Sequence, residues 1–152
     1  MRKVVFLLTM ILSFPTILWA DDPFIGTWNM IPSKSTFRYP APKSFTMIIK
    51  SKQGELECVE DVITADGKTI RRIYRGKYDG KDYPIHGDPN MDTISFMPIK
   101  DNKSTYVIKK DGKVVLRGES VVSEDGKTWI DNGSGKDASG KAYTFTIFLE
   151  KQ

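Results

Sequence analysis

The sequence predicts an all-β protein, a closed or nearly closed antiparallel up-and-down barrel of about eight to ten strands. Three observations carry that prediction. Turn signals recur about every 8–14 residues, with Asp-Gly-Lys alone starting at Asp66, Asp79, Asp111 and Asp125. The runs between them are rich in β-branched and aromatic residues. After the first twenty residues, no stretch has the apolar spacing of an amphipathic helix. Asp-Gly suits the positive φ angles of a two-residue hairpin turn, whose twist matches that of the strands it joins.

Residues 1–20 read as a leader rather than as part of the domain. Arg2 and Lys3 form a basic start, Val4 to Leu12 is apolar apart from Thr9, and Leu18-Trp19-Ala20 ends on the small residue a signal peptidase requires. The apolar run is broken by Ser13 and Pro15, so it is too short for a membrane span of about 20 residues. Cleavage after Ala20 would leave a single domain, 21–152, without an integral membrane segment and destined for the periplasm or the exterior. It would also remove two basic residues, lowering the formal charge from +4 to +2. With so small a charge and no long Lys/Arg run, nucleic acid is not an expected partner.

Ten strands are expected within the domain, over 26–31, 43–51, 55–64, 69–78, 82–86, 92–97, 103–110, 113–123, 127–132 and 141–150. "PSKSTFRYPAPK" is the one long irregular connection, and "HGDPNMD" is a Pro-bearing turn. Ten consecutive strands in one open sheet would leave two exposed edges, which closure into a barrel removes. A barrel of eight or more strands can hold an interior cavity for one small ligand.

Alternation with period two assigns the faces. Tyr143, Phe145, Ile147 and Leu149 should face inward in the last strand, and Phe45, Met47 and Ile49 in the second. Tyr106 and Ile108 should face inward in the seventh strand, and Val114, Leu116, Gly118, Ser120 and Val122 in the eighth. In "TIRRIYRGKY" one face is Arg71, Ile73, Arg75 and Lys77, and the other is Ile70, Arg72, Tyr74, Gly76 and Tyr78. If the second face points inward, Arg72 needs an anionic partner, because an unpaired buried guanidinium is costly. That partner is either an internal carboxylate, with Glu60 on the neighbouring strand the nearest candidate, or the anionic end of a ligand.

Catalytic and metal chemistry find little support. "GSGKDASGKA" has the glycine and lysine spacing of a phosphate-binding loop, but Ala142 replaces the Ser or Thr that would ligate Mg²⁺. It reads as a Gly-rich hairpin loop. His86 is the sole histidine and has no base–nucleophile partner in view. Glu57 and Asp61 read as a solvated strand face. Asp88, Asn90 and Asp92 lack the Gly and terminal Glu of a calcium loop. Cys58 is the single cysteine, so no internal disulfide can form, and its strand-like surroundings suit a small buried residue rather than a nucleophile. No metal, no cofactor and no catalytic residue is expected.

"FIGTWNM" near the start of the domain, then Lys34-Ser35, a Pro-rich segment, "YDGKDYPIHGDPNMDTISF" and a final "FLEKQ" resemble the lipocalin and fatty-acid-binding-protein superfamily, small secreted bacterial lipocalin-like proteins in particular. The resemblance spans nearly the whole of 21–152. It implies that Trp28 is a structural plug closing one end of the barrel. A Trp so placed also needs an acceptor for its indole N–H. In the family a basic side chain of the last strand stacks on that Trp, and here only Lys141 and Lys151, near the strand's ends, could do so. Two departures stand out. The gap between the first two strands is too short for the helical lid of fatty-acid-binding proteins, and the positions of their carboxylate-binding Arg and Tyr hold Ile147 and Leu149.

The expected function is binding of a small hydrophobic or amphipathic molecule among Phe45, Met47, Ile49, Arg72, Tyr74, Phe96, Tyr106, Phe145 and Ile147, with an anionic end if Arg72 orients it. The alternative is a protein-interaction or inhibitor module acting through its loops, with Phe37 and Tyr39 exposed on the stiff "FRYPAPK" segment.

Overall fold

The computed structural model describes residues 22–137 and 139–152. The expected leader and its cleavage point after Ala20 lie outside the described residues. The chain forms eleven strands: β1 Gly26–Met30, β2 Thr36–Phe37, β3 Ser44–Lys52, β4 Glu55–Ile63, β5 Thr69–Gly76, β6 Tyr83–His86, β7 Thr93–Phe96, β8 Lys103–Lys110, β9 Lys113–Val122, β10 Thr128–Lys136 and β11 Ala142–Lys151. One short 3₁₀ turn, Pro32–Lys34, separates β1 from β2. Ten strands pair antiparallel in the ring order β1-β3-β4-β5-β6-β7-β8-β9-β10-β11, and β11 returns to β1 to close the barrel. The two-residue β2 adds to the free part of the β11 edge, pairing Phe37 with Phe145.

Local sequence explains the turns. Asp111 and Gly112 both take positive φ (49° and 70°) and join β8 to β9 directly, as the Asp-Gly signal predicts. Asp101 and Asn102 do the same (52° and 57°) before β8 without any glycine, using the tolerance of Asp and Asn for the left-handed region. The weakest part of the wall is β6, which shares only two residue pairs with each neighbour.

The alternation of faces follows the sequence with one exception. The β8–β9 ladder shifts by one residue between Ile108 and Lys109, so that Ile108 faces Leu116 and Lys109 faces Val114. Val115 is the extra residue of this bulge. Val114, expected inside, therefore turns out to solvent at 40% exposure, while Val115 packs against the core. A second difference concerns "GSGKDASGKA". Strand β10 does not end at Asn132 but runs on to Lys136, pairing Gly133 with Phe145 and Gly135 with Tyr143. Beyond it the Asp137 N–H donates to the Lys141 carbonyl and the Gly140 N–H to the Asp137 carbonyl.

The barrel is solid at one end and hollow above it. Trp28 has no exposed surface, Leu149 is 1% exposed, and Val122 lies beside them. The Trp28 indole N–H donates to the Phe24 carbonyl at 2.8 Å, which satisfies its buried polar atom. Trp129 meets Trp28 edge to face at 5.5 Å between ring centroids, and Phe24 meets Trp129 at 5.1 Å. The Lys151 ammonium lies 5.0 Å from the Trp28 ring centroid, a cation–π contact. It gets there because register places Lys151 opposite Trp28. Gly26, at φ 143°, leaves room for the lysine stem: a Cβ there would come 2.5 Å from Lys151 Cε. Gly26 and Trp28 thus form one device, since the glycine lets the lysine cross to the ring.

Candidate ligand site

Above this base is a cavity of about 800 Å³. Its floor includes Phe24 and Trp129. Its rim holds residues from the Pro-rich segment, the β4–β5 turn, the β6–β7 loop and the β10–β11 turn. All nine residues expected at a binding site line it: Phe45, Met47 and Ile49 from β3, Arg72 and Tyr74 from β5, Phe96 from β7, Tyr106 from β8, and Phe145 and Ile147 from β11. Cys58 from β4 also lines it and is buried. Burial first, and the charge of Glu60 second, push its thiol far above the ordinary range.

Glycines on two strands make space for the aromatic wall. Tyr106 lies over Gly118, where a Cβ would sit 2.2 Å from the ring, and Phe145 lies over Gly133 at 2.1 Å. These contacts are too close for any side chain, so glycine in these strands marks a close approach rather than a loop.

Two polar groups interrupt the apolar lining. The first is built on Arg72, which does face inward. Its Nε donates to Asp88 Oδ2 at 2.8 Å and its Nη1 to Glu60 Oε2 at 2.9 Å. Tyr74 Oη donates to Glu60 Oε1 at 2.6 Å, and the Asn90 backbone N–H donates to Asp88 Oδ1 at 2.9 Å. Burial works against the guanidinium's charge. Glu60, by charge and hydrogen bond, and Asp88 more than offset it, holding Arg72 above its ordinary pKa. Tyr74 is also raised, by burial first and then by the Glu60 charge, and stays a phenol.

The second group lies on the opposite wall. Asp131 of β10 is buried at 9% exposure, accepting from Tyr106 Oη at 2.9 Å and from Ser120 Oγ at 2.9 Å. Burial pushes its carboxyl up to about 7. The two hydrogen bonds oppose that rise, and the charge of Glu60 adds to it. Among the described residues no ion pair involves Asp131.

Of the two partners the sequence allowed for an inward Arg72, the structure shows the internal carboxylate Glu60, joined by Asp88. Arg72 does not offer a bare charge to an anionic ligand, because Glu60 and Asp88 both already hold it. Asp88 and Asp131 were not among the expected site residues. Asp88 sits in the "HGDPNMD" turn, 16 residues from its partner, with no spacing signal to connect the two. Asp131 was readable in principle: counting by two from Trp129 puts it on the inward face.

At the rim, Arg38, Lys136 and Lys141 are exposed, and Asp137 accompanies them. Tyr39 packs edge to face on Tyr143 at 5.2 Å and on Phe37 at 5.4 Å. Phe37 is half-buried against β11, while Tyr39 lines the cavity mouth and remains exposed. Elsewhere, His86 is exposed on β6, Glu57 pairs with Arg75 and Asp61 with Arg71 on the outer surface. Among the described residues no group of three or more His, Cys, Asp or Glu could hold a metal ion, and no helix is long and apolar enough to cross a membrane.

Three solved structures are similar to this chain. Zebrafish ileal bile acid-binding protein, complexed with cholic acid, matches with a TM-score of 0.50 at 9% identity, covering 86% of this chain and 99% of its own. EF1p2_mFAP2b bound to DFHBI matches at 0.48 and 11% identity, covering 86% and 94%. The siderocalin Ex-FABP, whose function is described as resting on dual ligand specificities, matches at 0.38 and 11%, covering 86% and 74%. The fold is that of lipocalins and fatty-acid-binding proteins. No protein-family model matches the chain, and no curated protein matches it.

Proposed function

We propose that this protein is an exported barrel that binds a small, mostly apolar molecule inside its cavity. The observation that carries the proposal is the cavity itself: about 800 Å³, walled largely by aliphatic and aromatic side chains and interrupted by a few fixed polar groups. That is the usual anatomy of a small-molecule site, within the usual size range of roughly 300–1,000 Å³. The bile acid held by a barrel of the same fold is consistent with it. Export rests on the leader-like residues 1–20, with a domain over 21–152 acting in the periplasm or outside the cell.

An anionic ligand anchored on Arg72 is not favoured. Glu60 and Asp88 already neutralise the guanidinium, so an anion brought to it would meet two buried carboxylates. Of the two aromatics that the interaction-module reading rests on, Phe37 packs against the core and Tyr39 stays exposed.

The test is native mass spectrometry of protein purified from its own host, followed by titration of the stripped protein with the neutral dye N-phenyl-1-naphthylamine. The expected results are a co-purified small molecule and saturable dye fluorescence at one site per chain. Neither adduct nor dye binding would sink the proposal.

A further inference from the structure

Carboxylates outnumber cations among the buried groups of the cavity, whereas Arg38, Lys110, Lys136 and Lys141 line its mouth beside Asp137, with Lys110 paired to Asp92. Glu60, Asp88 and Asp131 face the cavity with one interior cation, Arg72, and Arg72 is bound to two of the three carboxylates. Asp131 alone has hydroxyl partners and no cation. A buried carboxylate in that position either takes up a proton or waits for a positive charge. Its surroundings leave an opening for the second. Each Asp131 oxygen accepts one hydrogen bond, from Tyr106 and from Ser120, so each keeps a lone pair for a donor. The groups of charge or titration near it are Tyr106 of β8, Glu60 across the cavity, and Tyr39 toward the mouth. None of these is a base. Below it on the same strand face is Trp129, whose ring forms the floor and whose buried indole N–H has no hydrogen-bond partner among the described residues.

Resting on the reading of the cavity as a small-molecule site, we propose that its ligands carry a cationic nitrogen seated against Asp131, with their apolar body on the aromatic wall. An ammonium there supplies the donors the carboxylate lacks and neutralises it in a low-dielectric setting, where the attraction far exceeds its value in water. An anion in the same place would face three carboxylates and a guanidinium already occupied. The exposed lysines and arginine of the rim do not reverse this preference, because charges in water are screened over about 8–10 Å at physiological salt.

The test compares three probes with one tail: decylammonium, decanol and decanoate, each displacing N-phenyl-1-naphthylamine from stripped wild-type protein at about pH 8. Decylammonium should bind about tenfold more tightly than decanol, or better, and decanoate more weakly than decanol. The Asp131→Asn variant should lose the ammonium preference while still binding decanol, which also reports that its cavity is intact. Equal affinity for the three probes, or a preference for decanoate, would overturn the proposal while leaving the binding cavity in place. Failure of all three to bind would instead overturn the reading of the cavity, and this inference with it. The wild-type comparison decides the question even if the variant does not fold.

Discussion

Replacing Asp131 by Asn should change how stability depends on pH, and the structure gives the size of the change. The carboxyl titrates near 3.8 in an unfolded chain and near 7 in the folded protein. Between those values the folded state holds a proton that the unfolded state has released, so raising the pH favours unfolding. The stability contributed by protonated Asp131 is complete below about pH 4 and lost as pH climbs through about 7. At 1.36 kcal/mol per pKa unit, the loss amounts to about 4 kcal/mol. Asn is close in shape to the protonated acid and does not titrate. Wild type and variant should therefore be similar in stability near pH 4, and the variant should be more stable by about 3–5 kcal/mol above pH 8. Exposed carboxylates held below their ordinary range, such as Asp66 and Asp92, give both proteins the opposite trend, so the difference between the two curves is the quantity to follow. Urea unfolding monitored by tryptophan fluorescence across this range measures it. Parallel pH profiles would mean that Asp131 is solvated or paired in solution, and the reasoning would fail.

Other consequences can be checked with the same unfolding assay. Trp28→Ala should cost about 3–5 kcal/mol, as expected for emptying a fully buried aromatic site, and an undiminished midpoint would refute the plug. Gly26→Ala should cost about 1–3 kcal/mol through backbone strain and the displaced Lys151, and adding Lys151→Ala should recover part of the clash cost. Arg72→Met should destabilise by about 3–5 kcal/mol because it strands two buried carboxylates; adding Glu60→Gln should restore part of that loss, whereas strict additivity would show that the pair is not coupled. Cys58 should react with a thiol reagent only as fast as the protein opens, and rapid labelling of the native state would contradict its burial.

Most of the barrel was legible because period-two patterning is strong wherever one face is buried and the other wet. In β5 the split of Arg71, Ile73 and Arg75 from Ile70, Arg72 and Tyr74 was legible, while which of the two faces points inward was settled only by the closed fold. The readings that failed did so for identifiable reasons. Val114 reversed because a bulge adds one residue, and a bulge leaves no mark in the run "KVVLRG". Gly133 and Gly135 read as loop because glycine is rare in strands, yet here they receive the rings of Phe145 and Tyr143 from the next strand. β2 was hidden among prolines and is only two residues long. For the site, the apolar lining followed from alternation. The Arg72–Glu60 pair followed from adjacent strands, but the Arg72–Asp88 contact did not, since it joins a strand to a distant loop and only the closed fold brings them together.

The packed base and the hollow upper barrel divide the core that folds this protein from the cavity proposed to bind a ligand. Trp28, Leu149 and Val122 are buried in the base and do not line the cavity. Asp131, Tyr106 and Phe145 line the cavity, while Trp129 and Phe24 form the floor that both regions share. Burial in the base can therefore stabilise the closed barrel without any ligand, which a chain with no disulfide must achieve through its core. The polar groups above the base contribute differently. Arg72 is neutralised by the protein itself and serves to hold β4, β5 and the β6–β7 loop together. Asp131 is left without a counter-charge in a wall that could have been wholly apolar at lower cost. A position that weakens the folded state at neutral pH, and that packing does not require, is where selection for binding rather than for stability has its physical signature.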